Sequence, residues 1–204
     1  MTITWLGHAC FLVETAEGSV VFDPYAPGSV PGLSLPALRA DAVVCSHGHH
    51  DHNYAAGVRL SGEKPRFTLR QHPCFHDDRQ GALRGENRIS LLEAEGLRLA
   101  HFGDLGHALS ETELAAIGSL DAALIPVGGH YTIDAQEAAA LVRALRPRLT
   151  IPMHYRGEGF GYDVIGTADA FTALFDRVQT WPSNTIDPTR AEAPVVVLRC
   201  PTAR

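Results

Sequence analysis

The sequence predicts an α/β fold in which two packed sheets carry helices on their outer faces. Three observations predict it. The N-terminal part alternates apolar and polar residues in short runs separated by glycines, the period-two signature of strands. The later part interleaves apolar runs of strand length with segments opened by helix-capping pairs, in a β-α-β-α-β-α order that belongs to an α/β domain. Several of the apolar runs stop at a His or an Asp, and α/β sheets gather their ligands at the carboxyl ends of strands.

Taken in order, Thr2–Trp5, Phe11–Thr15 and Val20–Phe22 read as short strands joined by Gly-containing turns. Ala42–Ser46 (AVVCS) is a continuous small apolar run, as expected of a strand covered on both faces. Arg88–Ala94 and Leu97–Phe102 flank Glu95-Gly96 and read as a hairpin. Ser110 and Glu113 have the spacing of a capping box and open a short helix through Ile117. Ala122–Val127 is another strand, ending at Gly128-Gly129. Asp134 with Glu137 caps a second helix that Pro147 stops, because proline cannot continue one. Leu149–Met153 is a strand ending at His154, a third helix is expected over about Ala168–Val178, and Pro194–Leu198 is a final strand.

Composition narrows the function. A chain of 204 residues, 45% hydrophobic, suits one domain with a real core, and we read a single domain over residues 1–204. The formal net charge of −6 disfavours a broad nucleic-acid surface, which needs clustered Lys and Arg. It leaves room for a small anionic substrate at a local positive site. No apolar stretch approaches the length that spans a bilayer, and the N-terminus alternates instead of forming a basic and then apolar leader, so a cytoplasmic location is expected. A small-molecule partner fits best, and a homo-oligomer is left open. Cys10, Cys45, Cys74 and Cys200 form no CxxC pair and read as thiols.

The strongest signal is His47-Gly48-His49-His50-Asp51-His52, which follows AVVCS directly. Imidazole nitrogen and carboxylate oxygen suit zinc and similar divalent ions. On a tight loop, the first, third, fifth and sixth positions can enter one cavity, and the glycine permits a sharp backbone path. A site that hydrolyses with two metals needs more donors than one loop supplies. Asp104 in HFGDLG, His154 in IPMHY and His76 in CFHDDRQG all sit where strands end, and strand-end loops converge on a shared mouth. His72 in RQHPC competes with His76.

These motifs, with WLGHACFLVE, VFDP and PVGGHYTIDAQEA, resemble the metallo-β-lactamase superfamily over nearly the whole chain. The likeness extends to its branch that includes the L-ascorbate-6-phosphate lactonases. The resemblance implies a four-layer αββα sandwich with the site along one edge. It implies one metal on His47, His49 and His76, a second on Asp51, His52 and His154, and Asp104 bridging them. His76 is preferred to His72 because DDRQGALRGEN after it looks like the family's segment and His72 is held before Pro73. The implied cofactors are two divalent ions, Zn2+ first, with Mn2+ or Fe2+ as alternatives. Two such ions bring four positive charges, two carboxylates and one hydroxide remove three, and about one remains to acidify water and attract anions. The implied activity is hydrolysis of an ester, lactone or phosphoester, with Asp51 and Asp104 helping to hold the nucleophile or leaving group.

The resemblance places His8 in WLGHAC beside the site, where substrate contact or proton transfer competes with a structural turn role. Asp23 in VFDP is read as a brace for the His47–His52 loop, since a metal-bound His donates its other N–H to a carboxylate or carbonyl. His107 and His130 lie near the mouth. His50 should point away, and His101 should face the far side of its strand. Arg79, Arg84 and Arg88 offer anion contacts, but pairing of Arg84 and Arg88 with Glu86 on a solvated loop is preferred. No GxSxG elbow and no GxxxxGK[ST] loop is present, so serine hydrolysis and P-loop chemistry lack their platforms. Two rivals remain. One is mononuclear iron redox chemistry on the same fold, as in relatives acting on persulfides; the di-iron members are disfavoured because they have Glu at the position of His49 and need a flavin domain. The other is a binding module that kept the fold without catalysis.

Overall fold

The N-terminal alternation builds a meander. In a computed structural model that describes residues 1–201, β1 (Thr2–Gly7), β2 (Cys10–Thr15) and β3 (Gly18–Phe22) pair antiparallel in sequence. Two more strands flank them. β5 (Ala42–Val44) runs parallel to β3, and β13 (Thr185–Ile186) lies antiparallel to β1. The second sheet has seven strands, ordered β12 (Val178–Trp181), β14 (Val195–Leu198), β11 (Leu149–Met153), β10 (Ala122–Pro126), β9 (Leu97–His101), β8 (Glu86–Ala94), β7 (Thr68–Phe75). From β9 to β12 its pairings are parallel, and β7, β8 and β9 are antiparallel.

Strand alternation decides what each face buries. Ile3, Trp5, Phe11, Val13, Val20 and Phe22 of the first sheet join Ile89, Leu92, Leu99, Leu124 and Ile151 of the second in one core. Leu6, Cys10 and Val21 point the other way and pack under Tyr25, Val30, Leu33 and the short pair β4 (Leu38–Ala40) and β6 (Val58–Leu60). β10 and β11 are buried at every position, as parallel strands covered on both faces must be. The helices α1 (Glu111–Ile117), α2 (Ala135–Leu145) and α3 (Asp169–Thr172) belong to the connections of the larger sheet. This is the α/β sandwich the sequence predicts. No helix of the described residues is long and apolar enough to cross a membrane.

The capping boxes form as spelled: Ser110 Oγ accepts from the Glu113 amide, and Asp134 accepts from Gln136 and Glu137. The hairpin turn takes the expected left-handed pair, with φ of +55° at Glu95 and +72° at Gly96. Three expectations need correction. Ala42–Val44 is an edge strand and only half-buried, because β3 pairs with it on one side and no strand of the described residues pairs on the other. The third helix covers four residues, Asp169–Thr172. Its N-cap Ala168 offers no side-chain acceptor, and Val178 is drawn into parallel pairing with Val195. The eight-residue strand β7 was not expected. It carries Pro73 and little apolar alternation, which an edge position tolerates.

Within each sheet, the strands that end in candidate residues run the same way. β1, β3 and β5 lead to His8, Asp23 and the His47–His52 loop. β7, β9 and β11 lead to His76, Asp104 and His154. Carboxyl ends of strands from both sheets therefore meet along one edge of the sandwich.

Candidate metal centre

Asp104 sits at the middle of this edge. Its Oδ2 lies 3.2 Å from His52 Nε2, 3.2 Å from His76 Nε2, 3.3 Å from His154 Nε2 and 3.8 Å from His47 Nε2. Two glycines make that approach possible. A Cβ at Gly103 would strike Asn87 Oδ1 and Ser46, and one at Gly106 would strike the His76 backbone. Asn87, buried in β8, holds the turn by accepting from the Asp104 amide at 3.0 Å and donating to the Phe102 carbonyl at 2.9 Å.

Around Asp104 the donor atoms fall into clusters. His47, His49 and His76 form one, and His8, Asp51, His52 and His154 form another, each with its donor atoms within 4.8 Å of one another. His72 lies outside both, in mid-strand opposite Ile89, so the structure brings His76 and not His72 to the centre. His50 is exposed.

Asp23 anchors the loop from behind. Its Oδ1 accepts from the Ser46 amide at 2.7 Å, and its Oδ2 accepts from Ser46 Oγ at 2.6 Å and His52 Nδ1 at 2.8 Å. The Ser46 hydroxyl spends its proton on Asp23, so it accepts from His47 Nδ1 at 2.9 Å. Both imidazoles therefore carry their outer proton on Nδ1 and turn Nε2 inward. His8 approaches Asp51 Oδ2 with its Nε2 at 3.2 Å, while the Tyr162 hydroxyl lies 2.7 Å from the Ser29 carbonyl and 3.2 Å from the same Asp51 oxygen. Backbone strain collects here: His8, Asp23 and His154 are buried non-glycine residues with φ of +52°, +44° and +53°, a conformation that costs roughly 1–2 kcal/mol each and persists where surroundings dictate it.

Burial and the imidazole cluster set the charges. Burial lowers the His47 imidazole to about 3 and His8 to about 4, His8 with help from His154, so both are neutral at pH 7. Burial opposes ionisation of Asp51 and Asp104, yet His8 and His52 hold Asp51, and His154 and His52 hold Asp104, well below the usual carboxylate range. Against burial, Asp104 and Asp23 keep a proton on His52 well above the ordinary imidazole value. A cation replacing the proton on His52 Nε2 would meet Asp104, while Asp23 keeps the proton on Nδ1.

The donor set fits divalent metal ions. Among the described residues, His47 Nε2, His52 Nε2, His154 Nε2 and Asp104 Oδ1 are buried and have no hydrogen-bond partner. Buried polar atoms left so cost about 1–3 kcal/mol each. Nitrogen and carboxylate donors converging from four loops, at residues 47–52, 76, 104 and 154, offset that cost when they share a cation.

A cavity of about 260 Å³ opens onto the donors. His49, Asp51, His76, Asp104 and His154 line it together with Arg84, Tyr131 and Tyr162. A wider cavity of about 610 Å³ adjoins it, with His47, His49, Arg84 and Arg88 in its wall. His8 lines neither cavity and stands behind Asp51. His107 spends Nε2 on the Phe75 amide and Nδ1 on the Ala108 carbonyl, so both its nitrogens serve the backbone. His130 is exposed, and its carbonyl accepts from Arg84 at 2.9 Å. His101 stacks on Phe22 and contacts the Ala9 carbonyl at 2.8 Å, a structural role. Arg88 lies 3.8 Å from Glu86, whereas Arg84 does not take up the pairing with Glu86 that the sequence suggested. Sequence reasoning missed Asn87, Tyr131 and Tyr162: a buried Asn in a strand and tyrosines on loops carry no spacing signal.

A family model for the β-lactamase superfamily domain matches residues 2–154. The chain belongs to the metallo-β-lactamase superfamily. It is 30% identical to a UPF0173 metal-dependent hydrolase of Carboxydothermus hydrogenoformans, over 76% of this chain and 84% of that one. It is 26% identical to a UPF0173 metal-dependent hydrolase of Thermoplasma acidophilum, over 89% and 93%. Among solved structures, a Thermotoga maritima protein described as a Zn-dependent hydrolase of the superfamily superimposes with a TM-score of 0.79 at 32% identity, covering 97% of both chains. A Parabacteroides distasonis protein described as a metal-dependent hydrolase shares the fold, with a TM-score of 0.68 at 16% identity.

Proposed function

We propose that this superfamily member hydrolyses a small-molecule ester, lactone or phosphoester at a two-metal site, within one domain spanning residues 1–204. The observation that carries the reading is the inward set of imidazole nitrogens around Asp104 Oδ2, several of them buried without a hydrogen bond. His47, His49 and His76 would hold one ion, Asp51, His52 and His154 the other, and Asp104 both. Two divalent ions, zinc first, supply a Lewis acid for the carbonyl or phosphoryl oxygen and acidify water to near neutral pKa.

The chain's own residues do the rest. Asp23 fixes the His47 and His52 tautomers through Ser46 and directly. His8 and Tyr162 hold Asp51 from two sides, which makes His8 a positioning residue. Asp51 and Asp104, kept ionised, present carboxylate oxygens to the cavity and would help hold the attacking water or the leaving group.

Turnover of a panel of lactones, p-nitrophenyl esters and phosphodiesters should be abolished by chelator and restored by zinc or manganese. Lactones belong in the panel because of the sequence likeness to the ascorbate-phosphate lactonases. Asp104→Ala should lose turnover and weaken metal binding while its circular dichroism stays native. A variant that keeps its metal and its activity would contradict the bridging role.

A further inference from the structure

We propose that Arg84 is a substrate-positioning residue that receives a carboxylate, which makes the site selective for substrates carrying a second, negatively charged group away from the bond that is cut. The proposal rests on the hydrolase reading and names the substrate class that reading leaves open.

Four observations carry it. Arg84 lines the same cavity as His49, Asp51, His76 and Asp104, and its guanidinium lies over Tyr131, another residue of that wall. Its charge is unspent: among the described residues no carboxylate forms an ion pair with it, and the near acid in sequence, Glu86, lies instead 3.8 Å from Arg88. An unpaired half-buried cation is an unusual expense in a chain of net charge −6. The side chain is also held in place. One Nη donates to the His130 carbonyl at 2.9 Å, and the guanidinium carbon lies 5.8 Å over the Tyr131 ring. That uses one of five N–H donors and leaves a fork for a planar oxyanion.

The backbone beneath Arg84 is fixed by a separate device. The buried Asp77 carboxylate accepts from four amides of its own loop, Arg79 and Gly81 on Oδ1, Leu83 and Arg84 on Oδ2, at 2.7–3.0 Å. Asp77 follows His76 directly, so one short loop carries a cluster donor at its start and the free guanidinium near its end. One guanidinium matches the charge of a carboxylate; a phosphate dianion brings more charge and more acceptors than one fork satisfies.

The test compares isosteres on zinc-loaded protein by ligand-observed NMR titration: succinate against succinamate, and glutarate against glutaramate. Each pair differs only in replacing one carboxylate by an amide. Wild type should bind one or both dicarboxylates about 10-fold or more tighter than the matching amide, the scale of a charge-assisted hydrogen bond. Arg84→Gln should bring that ratio to about one while leaving the monoamide affinity and zinc content unchanged, and Arg84→Lys should restore part of it. A wild-type ratio near one for both lengths overturns the proposal, as does a ratio that survives in Arg84→Gln. A purely structural Arg84 would move both members of a pair alike. The binding readout needs no turnover, so an Arg84-dependent preference without hydrolysis of any panel substrate sinks the hydrolase reading and leaves the carboxylate subsite standing.

Discussion

Asp23 lines neither cavity, yet two of the imidazoles around Asp104 take their orientation from it. Burial pushes its carboxyl up, and neighbouring His101 and His52 with the Ser46 hydroxyl bring it below its usual value. Asp23→Asn keeps the shape but not the charge. Its amide nitrogen would face either the Ser46 amide or the hydroxyl and imidazole donors, and a donor cannot accept from a donor. Metal affinity or turnover should fall by about 10–100-fold, the usual effect of losing a partner behind a ligand, with the fold intact by circular dichroism. Unchanged affinity in a zinc competition titration would make Asp23 a turn residue only. At this scale the sequence was most legible where a ligand-type residue followed a strand: the His47–His52 motif, His76, Asp104 and His154 all reach one centre. Tyr162 was not legible, because its place depends on how distant loops cross, not on spacing, and for Arg84 the sequence raised an anion contact but favoured pairing with Glu86, which the structure does not form.

Loops, more than strands, carry the working parts, and the 77–85 loop shows how one is made rigid. Its amides converge on a single carboxylate. Burial raises the Asp77 carboxyl, but the Arg84, Arg79, Leu83 and Gly81 amides lower it overall. The folded value is depressed, so the stabilisation is present above the ordinary carboxylate pKa and is lost as pH falls through the lower folded value. Asp77→Asn leaves one oxygen to serve two amides and turns a nitrogen toward the other two. Hydrogen exchange at neutral pH should then speed up at Leu83 and Arg84, or at Arg79 and Gly81, and the pH-dependent loosening should vanish. Exchange equal to wild type would show the loop is held by something else. The elements that sequence misread have the same physical origin. β7 is an edge strand that accepts Pro73, and the end of the expected third helix was claimed by pairing with β14.

On the scale of the whole molecule, two sheets bury one core and aim six strand ends at one edge. The αββα class was readable because strand alternation and capping boxes are local. The strand order was not, since it depends on pairings such as β12 with β14 and β1 with β13 that join distant segments. A site assembled from both halves ties metal binding to global stability. For one ion at about 1,000 times its Kd, linkage adds about 4 kcal/mol, and Tm should rise by roughly 8–16 °C on loading. Calorimetry with and without chelator checks this, and an unshifted Tm would mean that no ion binds the folded state preferentially. The most direct test of the two-metal centre is stoichiometry: chelator-stripped protein titrated with zinc, desalted and measured by inductively coupled plasma mass spectrometry. Two zinc ions per chain are predicted. A plateau at one ion, or none retained, would contradict the paired site around Asp104.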